Sequence, residues 1–300
     1  MIINQEVTPI QELSNPIFEQ NGVRLFIKRD DLNHPAISGN KLRKLKYNLI
    51  KAKEQGHTKL LTFGGAYSNH IYAVAAAGAE FGFETIAIIR GEEHLPLNPT
   101  LSFASSKGMK IDYMDRTTFR QKDNEDVLEK IKEKWGDFYH VPMGGSNDLA
   151  IPGVIELATE IKNQIPDLNY ICTACGTGGT MAGIIAGSDK DTKILGFPAL
   201  KGGEFLAKDI DQYLHLHQNN ELPDWELICD YHFGGYAKKK PELLEFIEKI
   251  QSEYQIELEF IYTAKMLYGV FDLIKKGYFP KGSKIVAVHT GGLQINKKGE

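Results

Sequence analysis

The stretch NYICTACGTGGTMAGIIAG, residues 169–187, predicts a strand, a glycine-rich loop and an apolar helix in direct succession. Gly176, Gly178 and Gly179 allow the loop backbone to approach an anion closely, and the amides at the start of the helix point toward it. Thr177 and Thr180 add hydroxyl donors. The spacing matches neither the dinucleotide-binding fingerprint nor a Walker loop, because no Gly-Lys-Thr/Ser follows. An ordinary tight turn is the alternative, but small and hydroxylated residues in a row favour an anion site.

The same succession of strand and helix extends in both directions from this stretch. Toward the N-terminus, strand-like segments are KLLTFGG, ETIAIIRG, KIDYMD and DFYHVPMGG, and helical ones are HIYAVAAAGAEFG, EDVLEKIKEKWG and DLAIPGVIELATEIKNQI. Toward the C-terminus follow KILGFPAL, GEFLAKDIDQYLHLH, ELICDYHFGG, KPELLEFIEKIQSEYQ, IELEFIYT, MLYGVFDLIKKGYF and SKIVAVHTGG. This alternation predicts an α/β fold with mostly parallel sheets, covered by helices on both faces. The order along the chain leaves open whether there is one sheet or two.

The composition of the 300 residues limits the classes of function. Lysine and arginine together number 35, against 39 aspartates and glutamates, so no general basic field is available to attract nucleic acid. No apolar run approaches the roughly 20 residues needed to cross a bilayer, and the N-terminus lacks the pattern of a signal peptide. We therefore expect a cytoplasmic protein with neither nucleic-acid nor membrane partners.

The three cysteines, Cys172, Cys175 and Cys229, indicate neither a disulfide framework nor a metal centre. An odd number argues against a set of disulfides. Cys172 and Cys175 have the spacing of a redox or zinc pair, but no second pair is present to complete a zinc site. We interpret them as small apolar packing residues and expect no metal.

A lysine stands at the predicted start of a helix in PAISGNKLRKLKYNLI, residues 35–50. The turn Ser38-Gly39-Asn40 precedes Lys41, and its small residues leave room for a flat ring. The partial positive charge of a helix start lowers the pKa of an amine, which makes it a better nucleophile. A phosphate-binding loop together with one such lysine suggests pyridoxal phosphate, joined to Lys41 as a Schiff base.

Two further glycine-bearing turns follow predicted strands, in FGGAYSNH (residues 63–70) and VHTGG (residues 288–292). Ligands of open α/β sheets gather where strands end and helices begin. One of Ser68, Asn69 and His70 would cap the next helix, as serine and asparagine often do. Three consecutive polar side chains exceed that need, so we include them in the candidate site.

The segment KRDDLNHPAISGNKLRKL, residues 28–45, resembles the cofactor-lysine region of the D-cysteine desulfhydrase and 1-aminocyclopropane-1-carboxylate deaminase family. Further motifs match in the expected order: GGAYSNH, VPMGGSN, CGTGGT, GGYAKKKPEL, YTAKMLYG and VHTGG. The resemblance covers nearly the whole chain. It implies a pyridoxal-phosphate enzyme of fold type II, similar to the tryptophan synthase β subunit, with two open twisted sheets and a homodimeric assembly.

The resemblance also implies two domains and a set of residue roles. A small α/β domain, residues 46–151, would be inserted into a large cofactor-binding domain made of residues 1–45 and 152–300. Lys41 would hold the cofactor and move protons, and Asn69 would hydrogen-bond the cofactor's ring oxygen. The phosphate would lie against Gly176, Thr177, Gly178, Gly179 and Thr180. The residues implied to contact the substrate are Ser68, Asn69, His70, Tyr236 and Tyr262, of which Ser68 and the two tyrosines would take part in catalysis.

Thr263 bears on the choice of substrate. The resemblance aligns it with a glutamate that faces the pyridine nitrogen in the deaminases. A neutral hydroxyl stabilises a protonated pyridine less than a carboxylate does, and opening a cyclopropane needs the stronger electron sink. His70 stands where the deaminases have glutamine. Both features favour β-elimination from a small amino acid, with D-cysteine giving pyruvate, ammonia and sulfide.

Several alternatives stay open at this point. The first is a deaminase that acts on 1-aminocyclopropane-1-carboxylate and forms 2-oxobutyrate. The second is a divergent elimination enzyme or racemase. The third is a relative that binds the cofactor without catalysis. From another class, a nucleotide-binding module would use CGTGGT for a nucleotide phosphate and leave Lys41 as surface charge. The chain departs from the family pattern at Ser38, Tyr67 and Ala264, and at Lys238–Lys240, and several of these positions border the predicted substrate pocket.

Overall fold

The computed structural model describes residue 3, residues 6–215 and residues 221–296. Its strands are β1 (Ile10–Leu13), β2 (Arg24–Lys28), β3 (Lys59–Gly64), β4 (Glu84–Arg90), β5 (Lys110–Met114), β6 (Tyr139–Val141), β7 (Tyr170–Cys175), β8 (Lys193–Pro198), β9 (Trp225–Leu227) and β10 (Lys284–Val288). Its α-helices are α1 (Pro16–Asn21), α2 (Asn40–Glu54), α3 (Asn69–Phe81), α4 (Pro99–Ser106), α5 (Arg116–Phe119), α6 (Glu125–Trp135), α7 (Ala150–Gln164), α8 (Gly179–Gly187), α9 (Leu206–Leu214), α10 (Pro241–Tyr254) and α11 (Thr263–Lys275).

The strands form two sheets, which confirms the predicted α/β class and resolves the choice between one sheet and two. The larger sheet has the order β1-β2-β10-β7-β8-β9 and the smaller one β5-β4-β3-β6. All neighbouring pairs are parallel except β1 and β2. Parallel neighbours need crossover connections, and the helices supply them.

Helices cover both faces of each sheet. Successive residues of a buried strand point to opposite faces, so one strand contributes side chains to two separate cores. In the larger sheet, Cys172 of β7 packs with α1, α10 and α11, whereas Cys175 packs with α7, α8 and α9. In the smaller sheet, Leu60 of β3 packs with α2, α3 and α4, whereas Leu61 packs with α5 and α6. The two cysteines therefore lie in different cores, and burial raises the pKa of both thiols.

A buried charged group anchors α2, the helix that begins at Asn40. Arg43 donates hydrogen bonds to Asp30 (2.7 Å) and Glu160 (3.0 Å), and Lys28 donates to the same Glu160 carboxylate (2.9 Å). The side chains of Arg43, Lys28 and Asp30 are fully buried. Two cations and two carboxylates balance, which is the condition under which buried charges are tolerated. Much of the charge in KRDDLNHPAISGNKLRKL thus fixes the fold.

The structure differs from the predicted alternation at IELEFIYT. This segment forms no strand; residues 256–259 have no regular secondary structure, and residues 260–262 turn into α11. The carboxylate of Glu259 accepts hydrogen bonds from the amides of Ile261 (2.7 Å), Tyr262 (2.8 Å) and Thr263 (2.6 Å). A buried carboxylate that binds three successive amides stabilises a turn, and this interaction overrides the apolar alternation of the segment.

The division into two domains stays a prediction. The smaller sheet spans residues 59–141, and the larger sheet contains strands from both sides of that range. Residues 1–2 and 297–300, at the ends of the predicted ranges, lie outside the described part of the chain. None of the helices in the described ranges combines the length and apolar character needed to cross a bilayer.

Candidate active site

A cavity of about 530 Å³ opens where strands of both sheets end. Gly64 ends β3, Arg90 ends β4, Gly176 follows β7 and Thr290 lies just beyond β10, and all four line the cavity. The carboxyl ends of parallel strands are the usual place for ligands in open α/β sheets.

The cavity collects most of the residues singled out in the sequence. Its lining includes Lys41, Ser68, Asn69, His70, Gly176, Thr177, Gly178, Thr180, Tyr236 and Tyr262. Gly179 and Thr263 do not line it. Gly179 is buried as the first residue of α8, behind the loop.

Lys41 is the second residue of α2, and its amine lies in the cavity wall. Burial lowers the pKa of this amine to about 8, although the charge of Glu259 partly opposes the change. Gly39 makes the position possible: its φ is +69°, and a Cβ there would lie 2.0 Å from the carbonyl oxygen of Thr290. The VHTGG turn therefore packs directly on the turn that precedes Lys41, and a side chain at residue 39 would separate them.

A second lysine, Lys44, stands one helical turn after the first and is buried; no role was predicted for it from the sequence. Lys44 donates to Ser146 Oγ (3.0 Å), whose hydroxyl is 2.6 Å from Thr177 Oγ1. Burial and the nearby charge of Lys41 lower the pKa of Lys44. Residues three apart on a helix share a face, and this spacing was the available signal.

The loop at residues 175–180 is thereby connected to both lysines. Asn40 donates from Nδ2 to Thr180 Oγ1 (2.8 Å), and the amine of Lys41 lies 3.2 Å from Asn40 Oδ1. In the described part of the chain, no carboxylate forms an ion pair with Lys41 or Lys44. Two adjacent buried amines beside a glycine loop form a site that an anion would stabilise.

The turn after β3 presents three polar residues with different surroundings. Ser68 caps α3, since its Oγ accepts hydrogen bonds from the amides of His70 and Ile71. Asn69 Oδ1 accepts a hydrogen bond from Gln294. His70 is buried, its Nε2 is 2.8 Å from Thr62 Oγ1, and its Nδ1 has no partner among the described atoms. Burial, together with the charges of Lys41 and Lys44, lowers the pKa of His70, so its imidazole is neutral.

Tyr236 and Tyr262 both line the cavity, and Tyr262 lies next to the glycine loop, since a Cβ on Gly176 would be 3.1 Å from its ring. The ring centroids of Tyr236 and Tyr262 are 6.0 Å apart in an edge-to-face arrangement. Tyr262 is largely buried, and burial, followed by the proximity of Tyr236 and Glu259, raises the pKa of its hydroxyl well above the usual value. Both hydroxyls therefore keep their protons at neutral pH and can donate hydrogen bonds.

The loop that carries Tyr236 is held by a buried lysine of α11. Lys265 donates to the carbonyl oxygens of Gly235 (2.8 Å) and His232 (2.9 Å), with Ala199 O at 3.5 Å. Four residues of this loop have positive φ: Phe233, Gly234, Gly235 and Ala237. Such a backbone needs an external restraint, and the ammonium of Lys265 supplies it.

Thr263 requires a correction. It is fully buried, and its hydroxyl lies 3.1 Å from Glu259 Oε1, behind the cavity wall. Thr290, in the VHTGG turn, does line the cavity, and it packs against the turn that precedes Lys41. The sequence pointed to the VHTGG turn as part of the candidate site. Its proximity to Lys41, however, depends on the parallel pairing of β10 with β2, which the local sequence pattern does not specify.

Comparison with known proteins agrees with this geometry. A family model described as pyridoxal-phosphate dependent enzyme matches residues 3–291. A Pyrococcus horikoshii protein provisionally named a 1-aminocyclopropane-1-carboxylate deaminase is 32% identical, over 95% of this chain and 89% of its own length. The mitochondrial bifunctional D-cysteine desulfhydrase/1-aminocyclopropane-1-carboxylate deaminase of Arabidopsis thaliana is 33% identical, over 95% of this chain and 76% of its own.

A solved structure of a relative has the same fold. The crystal structure of a homologue of 1-aminocyclopropane-1-carboxylate deaminase superposes with a TM-score of 0.82 at 30% identity, covering 96% of this chain and 90% of that one. The family match, the identities and the fold together confirm the enzyme class and the cofactor. The chain belongs to the pyridoxal-phosphate dependent enzymes, in the family of the 1-aminocyclopropane-1-carboxylate deaminases and D-cysteine desulfhydrases.

Proposed function

We propose that this enzyme catalyses β-elimination from a small amino acid, and that D-cysteine is converted to pyruvate, ammonia and sulfide. The observation that carries the proposal is the position of Lys41. Its amine has a pKa that burial lowers to about 8, and it shares the cavity with the glycine loop and two protonated tyrosines.

The residues of the cavity fit pyridoxal phosphate. Lys44, a buried amine without a carboxylate partner in the described residues, would be compensated by the phosphate. Lys44, Asn40 and the loop from Gly176 to Thr180 would hold that phosphate, with the start of α8 behind it. Asn69 would bind the ring oxygen, and Thr290 lines the cavity near Lys41 as a partner for the ring nitrogen. When bound, the cofactor supplies an electron sink for the negative charge that develops at Cα.

The chain's own residues would position the substrate and move its proton. Ser68 and Asn69 stand at the start of α3, where backbone amides and the helix dipole favour the substrate carboxylate. Lys41 is suited to accept the Cα proton, because an amine with a pKa near neutrality exchanges protons readily in both directions. Tyr236 and Tyr262 would donate hydrogen bonds near Cβ, where the leaving group departs.

We favour elimination over cyclopropane opening because of the acidic residues that the described part of the cavity wall lacks. No aspartate or glutamate lines the cavity among the described residues. Glu259 is buried behind it, and its carboxylate oxygens already accept hydrogen bonds from three amides. A site without a carboxylate for the ring nitrogen provides a weaker electron sink, which suffices when sulfide leaves.

A second candidate is the deamination of 1-aminocyclopropane-1-carboxylate to 2-oxobutyrate. The similarity to the bifunctional Arabidopsis thaliana enzyme supports it, because the name of that protein combines both activities.

The test compares keto-acid release by the purified holoenzyme from D-cysteine, L-cysteine and 1-aminocyclopropane-1-carboxylate. We expect D-cysteine to be the fastest, and Lys41→Ala to abolish turnover while the protein stays folded. Lys51→Ala, which removes an exposed lysine from the same helix, is the control and should keep full activity. Faster release of 2-oxobutyrate than of pyruvate would establish the second candidate instead.

Three further expectations stay proposals: a homodimer, a cytoplasmic location and the division at residues 46 and 151. They rest on the resemblance and on the composition of the chain. Light scattering of the purified enzyme measures the first, and a mass of one chain would contradict it.

A further inference from the structure

Two arginines stand together at the mouth of the active-site cavity. β4 and β5 are parallel neighbours, with Arg90 paired in register with Met114, and the amide of Gly91 donates to Met114 O (2.8 Å). Arg116 follows two residues later, at the start of α5. Both arginines therefore leave the sheet at the same edge, and both line the cavity.

Neither guanidinium has an acidic partner within the described ranges. Among the six arginines of the chain, Arg24, Arg29 and Arg43 form ion pairs with carboxylates. Arg90 and Arg116 are exposed and unpaired, and Glu92 and Glu93, which follow Arg90 closely, are neither paired with it nor part of the lining. Tyr236 also lines the cavity, and the charge of Arg90 counteracts the increase of the Tyr236 pKa that burial causes.

The proposed function does not use these two cations. The phosphate would be held by the glycine loop, Asn40 and Lys44. The α-carboxylate of the substrate would lie at the start of α3, beside Ser68 and Asn69. Two guanidinium groups thus remain at the entrance, on the side of the smaller sheet. Guanidinium groups bind carboxylates, sulfonates and phosphates through paired hydrogen bonds.

We propose that Arg90 and Arg116 bind a second anionic group of the substrate, so that the preferred substrates are amino acids whose β-substituent is itself an anion. This inference rests on the proposed function and names its substrate class. In such a reaction the Cα–H bond breaks and the enzyme takes the proton. The bond between Cβ and the substituent breaks, and its electron pair leaves with the anion. Hydrolysis then yields pyruvate and ammonia, with phosphate released from O-phosphoserine and thiosulfate from S-sulfocysteine.

The test uses the holoenzyme with both enantiomers of O-phosphoserine, S-sulfocysteine and β-chloroalanine, the last having an uncharged substituent. The quantity of interest is the ratio of kcat/KM for the anionic compounds to kcat/KM for β-chloroalanine. We expect this ratio to exceed one and to fall about tenfold in Arg90→Gln and in Arg116→Gln, and further in the double variant. Arg120→Gln removes an exposed arginine outside the cavity lining and is the matched control, which should keep the parent ratio.

The outcomes separate this inference from the proposed function. Pyruvate from β-chloroalanine with a ratio below one, or equal losses for charged and uncharged compounds in the variants, would overturn the second anion site while β-elimination stands. Absence of pyruvate from every compound would overturn the proposed function. In that case titration of the cofactor absorbance with O-phosphoserine still decides: about tenfold weaker binding in the double variant supports the arginine pair, and unchanged binding refutes it.

Discussion

Replacing Lys265 with methionine tests whether a buried ammonium group holds Tyr236 in the active site. Lys265 lies on α11 and donates to two carbonyl oxygens of the Tyr236 loop, those of His232 and Gly235. Methionine is similar in length and fills the same space, so the change removes the charge and the donors with little loss of packing. Without this restraint, the loop should leave its conformation with positive φ, and Tyr236 should no longer be fixed in the cavity.

The magnitude follows from two opposing contributions. Hydrogen bonds to a charged group contribute on the order of 1.5–3 kcal/mol each, so the two shorter ones contribute roughly 3–6 kcal/mol. Burial lowers the pKa of Lys265 from 10.5 to about 8, and at about 1.4 kcal/mol per pKa unit this corresponds to a cost of about 3.5 kcal/mol. The net restraint is therefore roughly 0–2.5 kcal/mol. A loss in the middle of that range reduces the population of the correct loop conformation about tenfold.

The assay is keto-acid release at saturating substrate, followed together with thermal unfolding. We expect kcat to fall about tenfold while the cofactor stays bound, because Lys265 does not line the cavity. Lys265→Ala leaves an empty space, and methylammonium should restore part of its activity. Lys275→Met changes an exposed lysine of the same helix and should behave as the parent does. A kcat for Lys265→Met within twofold of the parent would show that the loop holds itself and that this reasoning is wrong.

Three other changes test the frame around the site. Arg43→Met removes one of the two cations that balance Asp30 and Glu160 and leaves the buried Asp30 without its ion-pair partner, so it should lower the free energy of unfolding in urea by about 3–5 kcal/mol. Arg24→Met, which breaks an exposed ion pair, should cost less than about 1 kcal/mol, and equal losses would contradict the role of burial. In the apoenzyme, a pKa near 8 leaves about half of Lys41 as free amine at pH 8, against about 0.3% for an ordinary lysine, since burial disfavours the charged form. Reductive methylation of Lys41, followed by mass spectrometry, should thus reach half its maximum near pH 8; a yield that still increases above pH 10 would refute the shift. Gly39→Ala should destabilise the fold by at least about 3 kcal/mol in the same urea assay, because a Cβ meets Thr290 O and the backbone conformation suits only glycine; a stability equal to that of the parent would contradict this packing.

Local pattern predicted the elements of secondary structure well where one periodicity dominates. The strand at Tyr170–Cys175, the glycine loop and the helix from Gly179 all appear in the structure. The helix over EDVLEKIKEKWG ends at its glycine, as its composition indicates. IELEFIYT was the exception, because the contacts of the buried Glu259 carboxylate decide its path and no residue spacing reveals them.

For the candidate site, too, some features were predictable from the local sequence and others were not. Lys41, Ser68, Asn69 and the loop from Gly176 to Thr180 were identified in the sequence, because the chemistry of lysine, hydroxyl and glycine at helix starts is local. Their convergence in one cavity was an expectation that only the two sheets could test.

The sequence by itself determined the class of fold and the cofactor and singled out Lys41 as the candidate lysine, since these depend on residue type and on neighbours a few positions away. Tertiary structure decided that Thr290 and not Thr263 lines the cavity, that Lys44 supports the glycine loop, and that Lys265 holds Tyr236 from a distant helix. Tertiary structure also placed Arg90 and Arg116 at the same edge of the smaller sheet. The physical reason is that strand order and register are set by burial over the whole chain, so contacts between residues far apart in sequence have no local signature.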